Sequence, residues 1–85
     1  MTYSVEVSRT AERQIRSLDR PVQVRVLRVI MALSVNPRPA GHKKLAGYDD
    51  VFRIRVGDYR VLYSIDGRQL VVIVLKVGHR RAIYR

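Results

Sequence analysis

The 85-residue chain contains no cysteine and no tryptophan, and it has only two histidines. The absence of cysteine excludes disulfide bonds, thiolate catalysis and cysteine-ligated metal, and it is typical of a reducing cytoplasm. No stretch approaches the roughly 20 apolar residues of a membrane span, and the first ten residues carry no apolar signal segment. We therefore expect a cytoplasmic protein with no membrane association and no cysteine-ligated metal.

Acidic residues are also scarce, since 7 Asp and Glu stand against 17 Lys and Arg, which gives a net charge of +10. Such an excess indicates a polyanionic partner, either nucleic acid or an acidic protein. A solvated basic surface without a specific partner is the alternative. Because 47% of the residues are hydrophobic, the chain should fold, and its length predicts a single domain over residues 1–85.

Hydrophobic spacing predicts an α+β fold. A strand at residues 3–7 is followed by a short amphipathic helix, which Ser8 or Thr10 can cap. A second helix is predicted over residues 22–35, after a boundary at Asp19 and Pro21. A polar loop over residues 36–50 leads to three strands, at residues 51–56, 59–65 and 70–77. We expect the two helices to form a hairpin on one face of a sheet that this antiparallel meander completes.

Two turns are predicted to set the register of the meander. Gly57-Asp58 fits a two-residue turn with glycine first, and Asp66-Gly67 is typical of a type I′ turn, which would pair residue 65 with 68 and 63 with 70. The last strand is apolar on both faces, as expected in the middle of a sheet. One face then collects apolar and aromatic side chains on which the helices pack: Phe52, Ile54, Val56, Tyr59, Val61, Tyr63, Ile65, Leu70, Val72 and Val74.

The opposite face is predicted to carry an arginine cluster, with Arg55 directly opposite Arg60 and Arg53 beside them. Like charges that face each other across strands are destabilising. The arrangement is reasonable if an anion binds among them, because the planar guanidinium can bind phosphate in a bidentate manner. Three long side chains that extend separately into water are the alternative.

The tail VGHRRAIYR leaves the last strand at the end that carries the arginines. We therefore expect His79, Arg80, Arg81 and Tyr84 to border the cluster. A histidine there could act as an acid or base near neutral pH, and a tyrosine could stack on a nucleobase. Taken alone, either residue is more often a packing or surface residue.

The second helix carries a wider apolar stripe than one core contact needs, because Val24, Leu27 and Met31 extend it. The helix is either deeply buried or partly covered by a partner protein.

The order of elements, together with GDYRVLY and the later VGHRRAIY, resembles the RelE/ParE superfamily of toxins, and more closely its RelE branch. The resemblance covers nearly the whole chain. It implies a ribosome-dependent mRNA endonuclease that inhibits translation by promoting attack of a ribose 2′-hydroxyl on the adjacent phosphate, without metal or cofactor. It also implies an acidic RelB-like antitoxin as partner, with operator DNA bound only indirectly through that antitoxin.

The same resemblance implies roles for individual residues. Arg60 would stabilise charge on the phosphorane, Arg80 would assist the leaving oxygen, and Tyr84 would orient the nucleotide. Some members carry lysines where this chain has Arg53 and Arg55, and arginine cannot accept a proton. If a general base is needed, His79 is therefore the candidate from the sequence. Contacts with RNA or the ribosome are predicted for Lys43, Lys44, Arg81 and Arg85, and contacts with the antitoxin for Val24, Leu27 and Met31.

Two other functions remain open from the sequence. ParE-like proteins share the fold but inhibit DNA gyrase, and they tend to lack the arginine and tyrosine set. A nucleic-acid-binding module without catalytic activity is the third possibility.

Overall fold

A computed structural model describes residues 2–83 as two helices packed on one face of a five-stranded mixed sheet. In chain order the elements are β1 (Ser4–Val7), α1 (Arg9–Arg16), α2 (Arg20–Ala32), β2 (Lys43–Lys44), β3 (Val51–Val56), β4 (Tyr59–Asp66) and β5 (Val71–His79). The strand order is β1-β5-β4-β3-β2, and only the β1–β5 pair is parallel among these neighbours. The predicted α+β fold is confirmed, and β5 lies inside the sheet. No helix within residues 2–83 has the length and apolar character needed to cross a membrane.

The two helices begin where the sequence provides suitable residues. The Ser8 hydroxyl accepts a hydrogen bond from the Ala11 N–H (3.1 Å) and donates one to the Leu75 carbonyl (2.9 Å). This single residue therefore caps α1 and joins its start to β5. Helix α2 includes Pro21 in its first turn and ends at Ala32, earlier than predicted. The following turn leaves the Ser34 carbonyl to accept from the Tyr3 N–H (2.7 Å) just before β1.

The core lies between the helices and the face of the sheet that they cover, here called the inner face. Most of the predicted inner-face residues are confirmed, and Tyr63 is fully buried at 0% exposure. Leu70 is an exception because it lies in a loop before β5. The buried core consists of Ala11, Ile15, Val26, Ile30 and Leu33 from the helices and their flanks, and Val56, Val61, Tyr63, Ile65, Val72, Val74 and Val77 from the sheet.

The β3–β4 hairpin has the predicted register. Val56 pairs with Tyr59, and Arg55 pairs with Arg60. The turn requires positive φ at its first residue, and Gly57 has φ +60°, a conformation that glycine adopts without steric cost. A two-residue turn chosen by glycine therefore sets the positions of all side chains along this hairpin.

The β4–β5 connection corrects the predicted type I′ turn. The Asp66 Oδ1 atom accepts hydrogen bonds from the N–H groups of Arg68 and Gln69, each at 3.0 Å. These bonds stabilise a longer loop over residues 67–70, because an aspartate side chain can organise the backbone that follows it. As a result Ile65 pairs with Val72 rather than with residue 68. As far as the Tyr63–Val74 pair the register moves by an even number of residues, so Val72 and Val74 keep their predicted face.

A β-bulge interrupts the same strand pair between Leu62 and Tyr63. Tyr63 pairs with Val74 but Leu62 pairs with Lys76, so Leu75 is an extra residue in β5. Strict alternation after Val74 would direct Lys76 into the core, where an unpaired charge is costly. The bulge instead places Val77 in the core at 1% exposure and moves Lys76 to the opposite side of the sheet, here called the outer face.

Candidate functional site

The outer face carries a basic cleft with a volume of about 170 Å³, lined by Gly41, Lys43, Arg53, Arg55 and Arg60. Arg55 lies directly opposite Arg60, and Arg53 lies opposite Lys43 on the other side of β3. The predicted convergence of the three arginines is therefore confirmed. Cationic side chains from three neighbouring strands surround one small space, which is suited to a phosphate group.

Lys43 lies on the short strand β2, whereas the polar composition of residues 36–50 predicts a loop throughout. Three contacts hold the preceding segment against the sheet. The Tyr63 hydroxyl donates to the Pro37 carbonyl (2.8 Å), the His42 ring lies 5.6 Å from the Phe52 ring, and the Arg38 guanidinium lies 5.9 Å from the centre of the same ring. A two-residue strand has too few residues to show alternation, so tertiary contacts decide its position.

The Tyr63 hydroxyl remains a donor at physiological pH. Burial raises the pKa of Tyr63 to about 12, because the charged phenolate loses its hydration in the core, and the positive charge of Arg38 opposes part of that shift. The hydrogen bond to Pro37 therefore ties the loop to the core.

The Gly57-Asp58 turn organises the end of the cleft. The Arg55 Nε atom donates to the Gly57 carbonyl (2.8 Å), and the Arg80 N–H donates to the Asp58 carbonyl (2.9 Å). The backbone of Arg80 is thus held beside the turn that separates Arg55 from Arg60. Arg25 of α2 also reaches this turn, since its Nη1 atom would lie 3.3 Å from a β-carbon built on Gly57. Its place beside the turn was not visible in the sequence.

The side chain of His79 lies apart from the arginines. His79 pairs with Tyr59, and the two rings meet edge to face with their centres 5.5 Å apart. Alternation along β4 puts Tyr59 on the same side as Val61, which is the inner face, whereas the partner of Arg60 is Gly78. The end of β5 does approach the cleft as predicted, because Gly78 pairs with Arg60. The imidazole of His79, however, lies on the inner face. The catalytic role of His79 stays a prediction.

The other basic residues predicted to contact RNA are spread more widely. Lys44 pairs with Phe52, so it lies on the opposite side of the sheet from Lys43. Arg81 is exposed in the tail. Tyr84 and Arg85 lie outside the described residues. Their roles stay predictions.

The apolar stripe on α2 is only partly used by the core. Val26 is fully buried, but Leu27 is 40% exposed and Met31 is 71% exposed, while Val24 is half-buried. Deep burial of the whole helix is therefore excluded, and an apolar surface remains on the side of α2 away from the sheet.

Comparison with known proteins gives matches over nearly the whole chain. Residues 5–84 match the family model of the ParE toxin of type II toxin-antitoxin system, parDE. Toxin RelG of Mycobacterium tuberculosis is 36% identical over 89 residues, which covers 100% of this chain and 99% of RelG.

Two solved complexes contain chains with the same fold. One chain of the archaeal RelE-RelB complex from Pyrococcus horikoshii superposes with a TM-score of 0.84 and 32% identity, over 96% of this chain and 99% of that chain. One chain of the toxin-antitoxin complex RelBE2 from Mycobacterium tuberculosis gives 0.83 and 32%, over 94% and 100%. These matches agree with the observed fold and its order of elements. The chain therefore belongs to the RelE/ParE superfamily and is a RelE-family toxin of a type II toxin-antitoxin system.

Proposed function

We propose that this toxin is a ribosome-dependent mRNA endonuclease that acts in the cytoplasm and inhibits translation. The observation that carries the proposal is the basic cleft, in which Arg55 faces Arg60 across a tight hairpin and Arg53 and Lys43 complete the lining. A phosphate of the RNA backbone offsets the repulsion among these cations, and arginine provides paired donors for it. Further contacts with the RNA or the ribosome, outside the basic cleft, are proposed for Lys44, Arg81 and Arg85.

The proposed reaction needs no metal or cofactor. A ribose 2′-oxygen forms a bond to the adjacent phosphorus, and the bond from phosphorus to the 5′-oxygen breaks, which leaves a 2′,3′-cyclic phosphate and a 5′-hydroxyl. Arg60 stabilises the negative charge on the phosphorane, and Arg80 stabilises the leaving oxygen, which takes its proton from water. Tyr84 stacks on the nucleotide and orients it.

The proton of the 2′-hydroxyl also needs an acceptor. Of the side chains that line the described cleft, Lys43 is the one of a type that can serve as a proton acceptor, because arginine is not deprotonated in proteins. Lys43 therefore joins His79 as a candidate. Lys43→Arg keeps the charge but removes proton exchange, so it should lower the single-turnover cleavage rate and flatten its alkaline rise if Lys43 is the acceptor. The same effect in His79→Ala, with Lys43→Arg unchanged, would assign the role to His79.

The proposed protein partner is an acidic RelB-like antitoxin. The exposed part of the α2 stripe, with Leu27 and Met31, offers the apolar surface, and the charge of +10 offers attraction to an acidic chain. Binding to operator DNA would occur only through the antitoxin. Met31→Asp should weaken the toxin-antitoxin complex, because it puts a charge in the apolar contact, and it should leave RNA cleavage unchanged.

The direct test is cleavage of messenger RNA by purified protein added to translating ribosomes. Wild type should cut within codons, and Arg60→Ala and Arg80→Ala should each lower the rate by about 10²- to 10³-fold, the usual loss for one preorganised charge-stabilising group. Arg28→Ala is the matched control, since it removes the same charge from an exposed position on α2. Full activity in Arg60→Ala would overturn the assignment.

A binding module without catalysis is the alternative outcome of this test. Messenger RNA left intact by the wild-type protein, together with no harm to a host that expresses it, would favour that alternative.

Inhibition of DNA gyrase is the second candidate, because the matching family model carries the ParE description. It predicts inhibited supercoiling by purified gyrase and intact messenger RNA on ribosomes. The two assays therefore separate the branches of the superfamily.

A further inference from the structure

We propose that the outer face holds a second subsite, an apolar cavity that binds one nucleobase of the RNA whose phosphate lies in the basic cleft. This inference rests on the proposed endonuclease function and adds to it a determinant of base preference. The cavity has a volume of about 390 Å³, and its apolar lining includes Leu45, Tyr48, Val51, Leu62, Leu75 and Ile83. It is here called the base cavity.

The base cavity directly adjoins the basic cleft. Leu62, in the base cavity, pairs across the strands with Arg53, in the basic cleft. Val51 precedes Arg53 by two residues on the same face of β3, a separation of roughly 7 Å along a strand. A nucleotide spans such a separation between its phosphate and its base. One nucleotide can therefore place its phosphate among the arginines and its base in the cavity.

The walls of the base cavity suit a flat apolar ring. Its volume falls within the range of about 300–1,000 Å³ that is usual for small-molecule sites. Leu62 and Ile83 are only 6% and 4% exposed, so this part of the cavity is already packed without a ligand. The Tyr48 side chain is 58% exposed at the cavity. An exposed aromatic ring beside an apolar floor is the arrangement on which unpaired bases stack.

The base cavity also contains donors that can distinguish bases. Lys76 lines it because the bulge in β5 turns this residue to the outer face, and Thr10 at the start of α1 lines it as well. An ammonium group can donate to the acceptors on a base edge, and the O6 and N7 atoms of guanine are the best pair of acceptors. We therefore assign the cavity to a purine with an acceptor edge, and to guanine in preference to adenine.

An apolar side chain of the antitoxin is the competing occupant. The observations favour the base, because the cavity shares its face and its strands with the basic cleft. The unused apolar stripe of α2, by contrast, lies on the other side of the sheet. Filling the cavity should weaken RNA binding if a base occupies it, and it should weaken antitoxin binding if an antitoxin side chain does. RNA binding and antitoxin binding are therefore measured separately.

The experiment measures binding of the intact protein to a labelled RNA trinucleotide that carries 2′-deoxyribose at the scissile position and so resists cleavage. Each base in turn is replaced by an abasic site. Loss of one particular base should weaken binding about tenfold, the scale of one stacked base, whereas loss of the others should matter less. Methyl resonances of Leu62 and Ile83 should shift with the complete trinucleotide and not with that abasic form. Equal affinity for all abasic forms would overturn the proposal.

Variants locate the effect. Tyr48→Ala should remove the tenfold difference and flatten the base preference of cleavage on ribosomes, while Tyr48→Phe should preserve both. Ala46→Phe fills the cavity from its exposed rim and should act like Tyr48→Ala, and Ala32→Phe on α2 is the matched control. If Tyr48→Ala weakens antitoxin binding and leaves base preference intact, the cavity belongs to the antitoxin and the proposal is wrong.

Trinucleotide binding and RNA cleavage on ribosomes together distinguish a wrong assignment of the base cavity from a wrong endonuclease function. If only the base cavity is wrong, Arg60→Ala still lowers cleavage and the affinity for every trinucleotide, while Tyr48→Ala changes neither. If the endonuclease function is wrong, Arg60→Ala has no effect on cleavage and wild type does not cut RNA.

Discussion

Along β4, successive side chains enter two different environments. Val61 and Tyr63 point to the inner face and are fully buried under the helices, whereas Arg60 points to the outer face and lines the basic cleft. The inner face gains free energy from apolar burial, while the outer face brings like charges together at a cost. One strand therefore separates stability from function, and substitutions one residue apart should have different consequences.

The largest expected difference is between Tyr63→Ala and Arg60→Ala in the free energy of unfolding. Tyr63→Ala should lower it by about 3–5 kcal/mol, because it leaves a large cavity in the core. Arg60→Ala should lower it much less, because Arg60 is half-buried on the outer face and its loss opens no cavity in the core. Urea denaturation of both variants measures this difference. A large loss of stability in Arg60→Ala would show that the outer face also supports the fold.

High pH provides a second way to disturb the inner face alone. Because the pKa of Tyr63 is about 12 in the folded protein and about 10 in an unfolded chain, the unfolded state releases this proton first. The stability that depends on the neutral hydroxyl is fully present below pH 10 and is lost as the pH rises toward 12.

The control for this prediction is Tyr63→Phe, which lacks the ionisable group. Relative to it, wild type should lose about 1.4 kcal/mol of unfolding free energy per pH unit in that interval. At neutral pH the variant itself should be less stable by about 1 kcal/mol, since the Pro37 carbonyl loses its partner. Parallel curves for the two proteins at high pH would show that Tyr63 ionises equally well in the folded state.

The smallest expected effect concerns repulsion on the outer face. Arg55→Ala removes one of two facing charges, so it should raise the free energy of unfolding by up to about 0.5 kcal/mol at low ionic strength. High salt should abolish this gain because it screens exposed charges. Arg28→Ala, which removes an exposed charge from α2, should show less dependence on salt. A loss of stability in Arg55→Ala would mean that its hydrogen bond to Gly57 outweighs the repulsion.

The sequence was informative about the β3–β4 hairpin and less so about its neighbours. Gly57 selects a two-residue turn, so the pairing of Arg55 with Arg60 and their common face could be predicted. The β4–β5 connection was mispredicted because the Asp66 side chain stabilises a longer loop. The preference of Asp66-Gly67 for a type I′ turn does not take into account the hydrogen bonds that the Asp66 side chain accepts.

The candidate site was predictable in part for a related reason. Arg53, Arg55 and Arg60 alternate within regular strands, so their convergence follows from strand geometry. Lys43 joins them through a two-residue strand that has no periodic pattern, and the imidazole of His79 lies beside Tyr59 on the inner face. Neither position follows from local spacing.

The sequence by itself determined the class of fold, the positive charge, and the face on which the three arginines of the hairpin lie. These follow from composition, alternation and one glycine, all of which act over a few residues. Tertiary structure alone decided where the bulge in β5 occurs, how Lys43 reaches the cleft, and that an apolar cavity adjoins it. The physical reason is that a bulge keeps Lys76 out of a core that Val77 can fill. The position of the bulge therefore depends on which side of β5 the helices cover. The spacing of residues within the strand does not contain this information.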